Sequence, residues 1–425
     1  MRNTQKLTLA LFIQAALISS TYASEQSEAK GFVEDAQGSV LFRTGFIQRD
    51  KKDGVKDTNS FAQTAMVKLD SGYTPGIVGF GVGAVGDASF KIGDNDHSGN
   101  NMIPRDSNGE PYDHWTRGGG YVKARISNTN VVYGTQVLDI PVLASNTARL
   151  VPEYFTGVLA TSREIQNLEV IAGKFTKNQF SDQISTDQNG LDRAVVWGAK
   201  YKFNDQLNAS YYGTDVKDKL ERHYINTNYK YPLAKDSSVT LDLSAYHTQF
   251  EPGTTYSSTV ANPATQDTEN TIWALSASYN QGPHNVMLAY QQNNGNVGYD
   301  YNNNADGGQS IYLPNSYLSD FIGNDEKSVQ LQYNVDLGAY GVPGLSWTSA
   351  YVYGWDIKVK GLTDSADEQE FFNQVKYTVQ SGFAKDASLR LRNSIYRASD
   401  EYQTNAYIGD TNEWRIFLDI PVKLF

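Results

Sequence analysis

Short segments in which apolar and polar residues alternate recur along almost the whole chain. In one of them, Val239, Leu241 and Leu243 alternate with Thr240 and Asp242. Successive side chains of a β-strand point to opposite faces, so each such segment has one apolar face and one polar face. The repeated pattern predicts an all-β protein.

We count eighteen such segments, and the even number is informative. They cover residues 39–48, 60–70, 77–86, 119–127, 130–136, 156–164, 167–175, 193–203, 206–213, 222–231, 238–248, 270–280, 284–292, 327–336, 345–359, 369–380, 387–396 and 413–424. Short connections such as 128–129 and 204–205 alternate with long ones such as 87–118, 137–155 and 293–326, which are rich in turn-forming residues. This layout predicts an 18-stranded antiparallel transmembrane β-barrel with long extracellular loops and short periplasmic turns.

Aromatic residues distinguish this barrel from a soluble β-sandwich or β-helix, which would show the same alternation. Tyr and Trp recur at segment ends, as at Tyr231, Trp273, Trp355 and Trp414. Membrane barrels carry such rings at both membrane interfaces, whereas a sandwich has little use for them. Beyond the N-terminus no apolar run approaches the ~18 residues of a spanning helix. We therefore favour the transmembrane barrel.

The first residues have the features of a secretory signal peptide. Arg2 and Lys6 precede a mostly apolar stretch over 7–18, and Thr21-Tyr22-Ala23 places small residues at the expected cleavage positions. We therefore interpret residues 1–23 as a signal peptide and residues 24–425 as a single barrel domain. The predicted location is the bacterial outer membrane.

Composition excludes several other classes of protein. The net charge of −11, from 36 basic and 47 acidic residues, argues against nucleic-acid binding. The sequence contains no cysteine, which removes thiolate chemistry and disulfides. Asp94 and Asp96 resemble the start of a calcium loop, but Arg105 replaces the glutamate at its twelfth position, leaving only a weak calcium candidate. We expect no cofactor.

The alternation also assigns charges to the inside of the barrel. A barrel of this size leaves a water-filled channel, and a charge facing lipid would cost about 2–4 kcal/mol at mid-membrane. In four successive segments, the residues that alternate with the apolar, lipid-facing ones must point inward. This parity of position predicts that five cations face the lumen: Lys358, Lys376, Arg390, Arg392 and Arg415. Arg43 would lie beside them, because the first and last strands of a closed barrel are neighbours. These cations either guide anions, carboxylates above all, or merely solvate the pore and pair with nearby acids.

Four motifs carry a resemblance to a known family. They are SGYTPGIVGFGVGAVGD at 71–87, ARISNTNVVYGTQVLDIPVLASNTARLVPEYFTG at 124–157, NDEKSVQLQYNVDLGAYGVPGLSWTSAYVYGWDI at 324–357, and SLRLRNSIYR with EWRIFLDIPVKLF within 388–425. Together and in this order they resemble the OprD family of outer-membrane porins, the substrate-specific carboxylate channels. The resemblance implies a basic ladder, an inward-folded loop after the fifth strand and an acidic patch opposite. It also implies that Arg149 extends the ladder and that Asp320 belongs to the acidic side.

Together these features predict a channel for passive, selective diffusion of small carboxylates, either amino acids or aromatic and organic acids. We expect a non-enzymatic monomer or loose oligomer whose partners are these solutes and outer-membrane lipid, with no nucleic acid. One alternative is a general diffusion porin without marked charge selectivity. Others are an outer-membrane hydrolase, which would need catalytic side chains converging in space, and a barrel that serves only for adhesion.

Overall fold

The structure, a computed structural model, describes residues 24–94, 99–185, 191–252, 254, 268–295, 297–301, 310–359, 363–400, 402 and 408–425. The signal peptide interpreted at 1–23 and the calcium candidate Asp96 lie outside these residues. Within the described ranges, no helix has the length and apolar character needed to cross a membrane.

Eighteen antiparallel strands form one closed sheet. The strands are β1 (Gln37–Lys51), β2 (Thr58–Asp70), β3 (Val78–Lys91), β4 (His114–Ile126), β5 (Thr129–Gln136), β6 (Tyr154–Ser162), β7 (Leu168–Gln179), β8 (Ala194–Lys202), β9 (Leu207–Val216), β10 (Leu220–Ala234), β11 (Ser237–Phe250), β12 (Thr268–Gln281), β13 (His284–Gly295), β14 (Lys327–Asp336), β15 (Leu345–Ile357), β16 (Ala366–Thr378), β17 (Ser388–Ala398) and β18 (Thr411–Lys423). Each strand pairs with the next, and β1 pairs with both β2 and β18. The predicted 18-stranded barrel is confirmed, because every predicted segment overlaps one of these strands.

The two rims of the barrel differ as the sequence predicted. At one rim, pairs such as β4–β5 and β12–β13 are joined by two residues, and Ser127 takes a φ of 53° to make the first of these turns. At the other rim, long connections follow β5 and β13. One exception is the connection 217–219, which is short although it lies at the long-loop rim.

Apolar side chains form a continuous row on the outer surface. Leu288, Leu331, Tyr351, Phe371 and Ile395 are register partners across β13 to β17. Their exposed fractions are 56%, 58%, 44%, 43% and 38%. Full burial of a large apolar side chain contributes about 1.5–3 kcal/mol, and in water this exposure would forgo a large part of it for each residue. The row therefore fits a lipid-facing surface.

The inner face has the opposite character. Gln291, Asn293, Ser328 and Gln330 are polar, yet each is at most 1% exposed. The amide of Asn293 donates to the carbonyl oxygens of Ile322 and Gly323 at 2.7 and 2.6 Å. The barrel is thus apolar outside and polar inside, and a loop that folds into the lumen pairs with inner polar groups such as the Asn293 amide.

We expect Leu331→Arg to destabilise the inserted barrel by about 2–4 kcal/mol, because the charge would enter the middle of the lipid-facing row. The measurement is the free energy of unfolding in lipid vesicles by denaturant titration. Leu331→Val, which keeps an apolar side chain there, is the control and should change this free energy little. Equal stability of the arginine variant and the wild type would contradict the assignment of this face to lipid.

Candidate substrate pathway in the lumen

The connection between β5 and β6, residues 137–153, folds into the barrel. Leu143, Leu150 and Val151 in this segment are fully buried. Leu143 packs in a cluster that includes Tyr246 of β11, whereas Leu150 and Val151 pack in a second cluster that includes Phe417 of β18. The segment, which we call the constricting loop, therefore contacts two separate parts of the inner wall and narrows the lumen between them.

An ion pair in the wall anchors the end of the constricting loop. The side chains of Arg117 (β4) and Asp87 (β3) are fully buried and lie 3.0 Å apart. The Arg117 guanidinium also donates to the carbonyl oxygens of Pro152 in the loop and Phe180 after β7, both at 2.6 Å. The Tyr154 hydroxyl donates to Asp87 at 3.1 Å. One guanidinium thus joins β3, the loop end and the segment after β7.

The connection after β13 also turns inward, and it contains Asp320. This carboxylate is 7% exposed and accepts hydrogen bonds from the hydroxyls of Tyr301 and Ser316, both in the same connection. The structure therefore places the Asp320 carboxylate inside its own loop, not on the lumenal surface. Its assignment to an acidic side of the constriction stays a prediction.

Cations from four adjacent strands share one part of the inner wall. Lys376 of β16 is the register partner of Arg390 of β17, and Arg392 of β17 is the partner of Arg415 of β18. Arg43 of β1 forms a bidentate pair with Asp419 of β18, at 2.7 and 2.9 Å. Parity predicted that these residues would face inward together, and the structure brings them together. We call Arg43, Lys376, Arg390, Arg392 and Arg415 the basic wall.

Two phenylalanine rings support the guanidinium groups of this wall. Phe417 lies between Arg43 and Arg390, with 5.4 and 5.3 Å from each guanidinium carbon to the ring centre. Arg392 lies 4.9 Å from the centre of the Phe372 ring. A guanidinium stacked on an aromatic face keeps its N–H edge available for a bidentate anion. Phe372 and Phe417 therefore position cations without occupying their donors.

Members of the basic wall differ in how their charges are compensated. Arg415 and Arg49 both pair with Glu413, and the Arg49 Nε lies 2.7 Å from its carboxylate. By contrast, within the part of the chain that the structure describes, Lys376, Arg390 and Arg392 make no ion pair and no side-chain hydrogen bond. The wall thus presents three charges that no protein carboxylate neutralises directly.

Arg149 brings a further guanidinium from the constricting loop to this wall. Its side chain is buried, and its carbonyl oxygen accepts a hydrogen bond from Arg43 at 3.1 Å. Burial, followed by the nearby charges of Arg415 and Arg49, lowers the pKa of Arg149. The placement agrees with the resemblance-based expectation that Arg149 lies beside the basic residues, and its role in transport stays a prediction.

Lys358 is not part of the basic wall. The pairing of β15 with β16 is irregular between Gly354 and Ile357, and Asp356 takes a φ of 64°. This irregularity shifts the alternation, so that Ile357 is 1% exposed and packs inside the barrel. Lys358 is exposed and pairs with Asp325 at the long-loop rim. The prediction that Lys358 faces the lumen with the other cations is wrong for this reason.

Several residues of the site were not predicted from the sequence. Arg49 and Glu413 pair across β1 and β18, and Phe372 and Phe417 support the wall. The sequence could have indicated the two phenylalanines. Both occupy inward-facing positions of strands whose other large apolar residues face outward. Among the described residues no group of three or more candidate ligands could hold a metal, and Asp94 belongs to no such group.

The closed barrel agrees with what comparison of the whole chain finds. A family model described as outer membrane porin, OprD family, matches residues 30–424. The chain belongs to the OprD family of outer-membrane porins. It is 35% identical over 434 residues to Porin D of Pseudomonas aeruginosa, covering 96% of this chain and 95% of that protein.

Solved structures of this family have the same barrel. OccAB1 of Acinetobacter baumannii superposes with a TM-score of 0.92 and 69% identity, covering 95% of this chain and 100% of that one. OpdK of Pseudomonas aeruginosa, crystallised with vanillate, gives a TM-score of 0.80 and 25% identity over 92% of this chain and all of that one. This OprD-family protein is therefore a channel of the bacterial outer membrane, and the expectation that it is no enzyme is confirmed by its family.

Proposed function

We propose that this OprD-family porin conducts small carboxylate-bearing solutes by diffusion along the basic wall, with Arg149 at the constricting loop. The observation that carries the proposal is that the charges of Lys376, Arg390 and Arg392 are not compensated by a carboxylate. Within the described residues no carboxylate pairs with them, although they lie in neighbouring register positions on the inner face. Arg390 and Arg392 are partly buried, and partly buried charges without partners are costly. A passing anion would supply the missing compensation.

The spacing of these residues suits a stepwise transfer. Register partners on adjacent antiparallel strands have Cβ atoms about 4.5–5.5 Å apart. A carboxylate held by Arg392 and Arg415 therefore reaches Arg390 and Lys376 by a short displacement along β17. Because the Phe417 and Phe372 rings hold the guanidinium faces, the N–H edges stay oriented for a bidentate contact at each step.

The structure of OpdK with vanillate supports a carboxylate as the solute class. Vanillate is an aromatic acid, and OpdK shares the barrel fold at 25% identity. The proposal extends this chemistry to the present chain on the basis of its own cations. It leaves open whether the solute is an amino acid or an aromatic or organic acid.

We expect the double variant Arg390→Ala/Arg392→Ala to slow permeation of a small monocarboxylate roughly tenfold, because each charge-assisted hydrogen bond contributes about 1.5–3 kcal/mol. Permeation of a neutral sugar of similar size should change little. The measurement is the rate of liposome swelling with each solute. Arg163→Ala is the matched control, because Arg163 is half-exposed and pairs with Glu169, next to a short turn.

The alternative, a general diffusion porin, makes the opposite prediction. Its permeation would depend on solute size and not on charge. Equal loss of sugar and carboxylate permeation in the double variant would show that these arginines only maintain the bore.

A further inference from the structure

Three glutamates are buried in the wall beneath the second inward connection. Glu368 and Glu370 of β16 have exposed fractions of 0%, and Glu326, just before β14, has 1%. None of the three belongs to the basic wall. Buried carboxylates are costly unless they are paired or protonated, so this group needs its own explanation.

The two glutamates of β16 bind the inward segment 318–323 at its start. Glu370 accepts hydrogen bonds from the backbone N–H groups of Leu318 and Ser319, both at 3.0 Å. Glu368 accepts one from the Ser319 hydroxyl at 2.9 Å. From the other side, Gln291 of β13 donates to the carbonyl oxygen of Phe321 at 2.8 Å. The segment is therefore clamped between β13 and β16 inside the lumen.

Glu326 and Glu368 lie against each other. One oxygen of Glu326 accepts the backbone N–H of Gly323 at 2.6 Å. The other oxygen, Oε1, is buried and receives no hydrogen bond from a described residue. Space for it depends on Gly354, where an added Cβ would lie 2.2 Å from this oxygen. Burial, together with the charge of Glu368, raises the pKa of Glu326 well above its usual value.

Among the described residues, the groups that surround this pair include no cation paired with either carboxylate. Asp320 and Glu370 add negative charge near Glu368, and Tyr396 of β17 and Tyr402 face the pair as neutral phenols. β13 contributes the neutral Gln291 and Asn293, and β15 contributes Gly354 and Ile357. Of the nearby described cations, Arg392 makes no ion pair with Glu326 or Glu368, and Lys358 pairs with Asp325. Two adjacent carboxylates in such surroundings cannot both be ionised.

We propose that the Glu326–Glu368 pair holds one shared proton and acts as a positioning element that keeps segment 318–323 docked in the lumen. Loss of the proton places two like charges in contact and releases the segment from the β16 wall. The docked state binds more protons than the released state, so docking is favoured at low pH and weakens as the pH rises through the titration of the pair. The width of the channel therefore depends on pH.

The test is single-channel conductance of the purified protein in planar bilayers, in KCl alone, from about pH 5 to about pH 10. We expect steady conductance at the acidic end and excursions to a larger conductance at the alkaline end. Their equilibrium should change by up to about tenfold per pH unit where the pair titrates. In Glu326→Gln, the amide donates to Glu368 without adding charge, so the excursions should be lost at every pH.

Glu368→Gln provides a second variant with the same expected loss, should the first fail to fold. Asp364→Asn removes an exposed carboxylate near β16 and should keep the wild-type pH profile. The proposal is overturned if the wild type shows no pH dependence or if a folded glutamine variant retains it. Because the experiment contains no organic solute, its failure would leave the proposal on carboxylate selectivity untouched.

Discussion

Glu413→Gln is expected to raise the anion-to-cation permeability ratio roughly fivefold, because a unit charge about 4 Å away contributes about 1 kcal/mol even in bulk water. Glu413 is the carboxylate with which Arg49 and Arg415 pair, and all three side chains are at most 15% exposed. Arg392 stands directly opposite Arg415, so removal of the carboxylate leaves cations facing one another. The ratio is obtained from the reversal potential in a KCl gradient.

The same change should also lower the free energy of unfolding, by about 3–5 kcal/mol, because it breaks a buried ion pair by removing one partner. Glu110→Gln is the matched control: it removes the same charge from an exposed loop position and should alter neither quantity. An unchanged permeability ratio in a destabilised Glu413→Gln protein would contradict the electrostatic part of this prediction and leave Glu413 a structural role.

The alternation predicted all eighteen strands because the barrel wall separates lipid from a polar lumen, and this boundary imposes a period of two. The strand ends were predicted less well. β3 was predicted to end at residue 86 but continues to Lys91, and β4 begins at His114, not at 119. In these extensions the inward Asp87 and Arg117 pair with each other. A strand that continues past the lipid needs no apolar outer face. In the β4 extension the outward positions His114, Thr116 and Gly118 are not apolar, so the alternation is lost there.

Within the site, the sequence was informative where the strands are regular. Arg390, Arg392 and Arg415 lie on the inner wall as parity requires. The side chain of Lys358 was predicted to face the wrong side because the irregularity at Asp356 shifts the inward–outward alternation by one residue. This irregularity arises in the pairing of β15 with β16, which the sequence of β15 alone does not show. The environment of Asp320 depends on the path of its loop, which alternation does not describe. Partners such as Glu413 become visible only when the register of β1 and β18 is known.

The second large effect is expected for Arg117→Ala, which should destabilise the barrel by about 3–5 kcal/mol and increase single-channel conductance. Removal of this guanidinium leaves the fully buried Asp87 carboxylate without its cation. It also removes the donor that holds the carbonyl oxygen of Pro152, at the end of the constricting loop, at 2.6 Å. Denaturant titration measures the first effect, and KCl conductance with liposome swelling by sugars of increasing size measures the second.

A double variant separates these two consequences. Arg117→Ala/Asp87→Ala removes the stranded carboxylate together with the guanidinium, so the unfolding free energy should recover in part. The constricting loop would still lack its anchor at Pro152, so the conductance should remain high. Return of the conductance to the wild-type value in the double variant would show that the stranded charge, and not loss of the anchor, widens the channel. Arg163→Ala, at an exposed ion pair, should leave both quantities unchanged, because such a pair contributes about 1 kcal/mol or less.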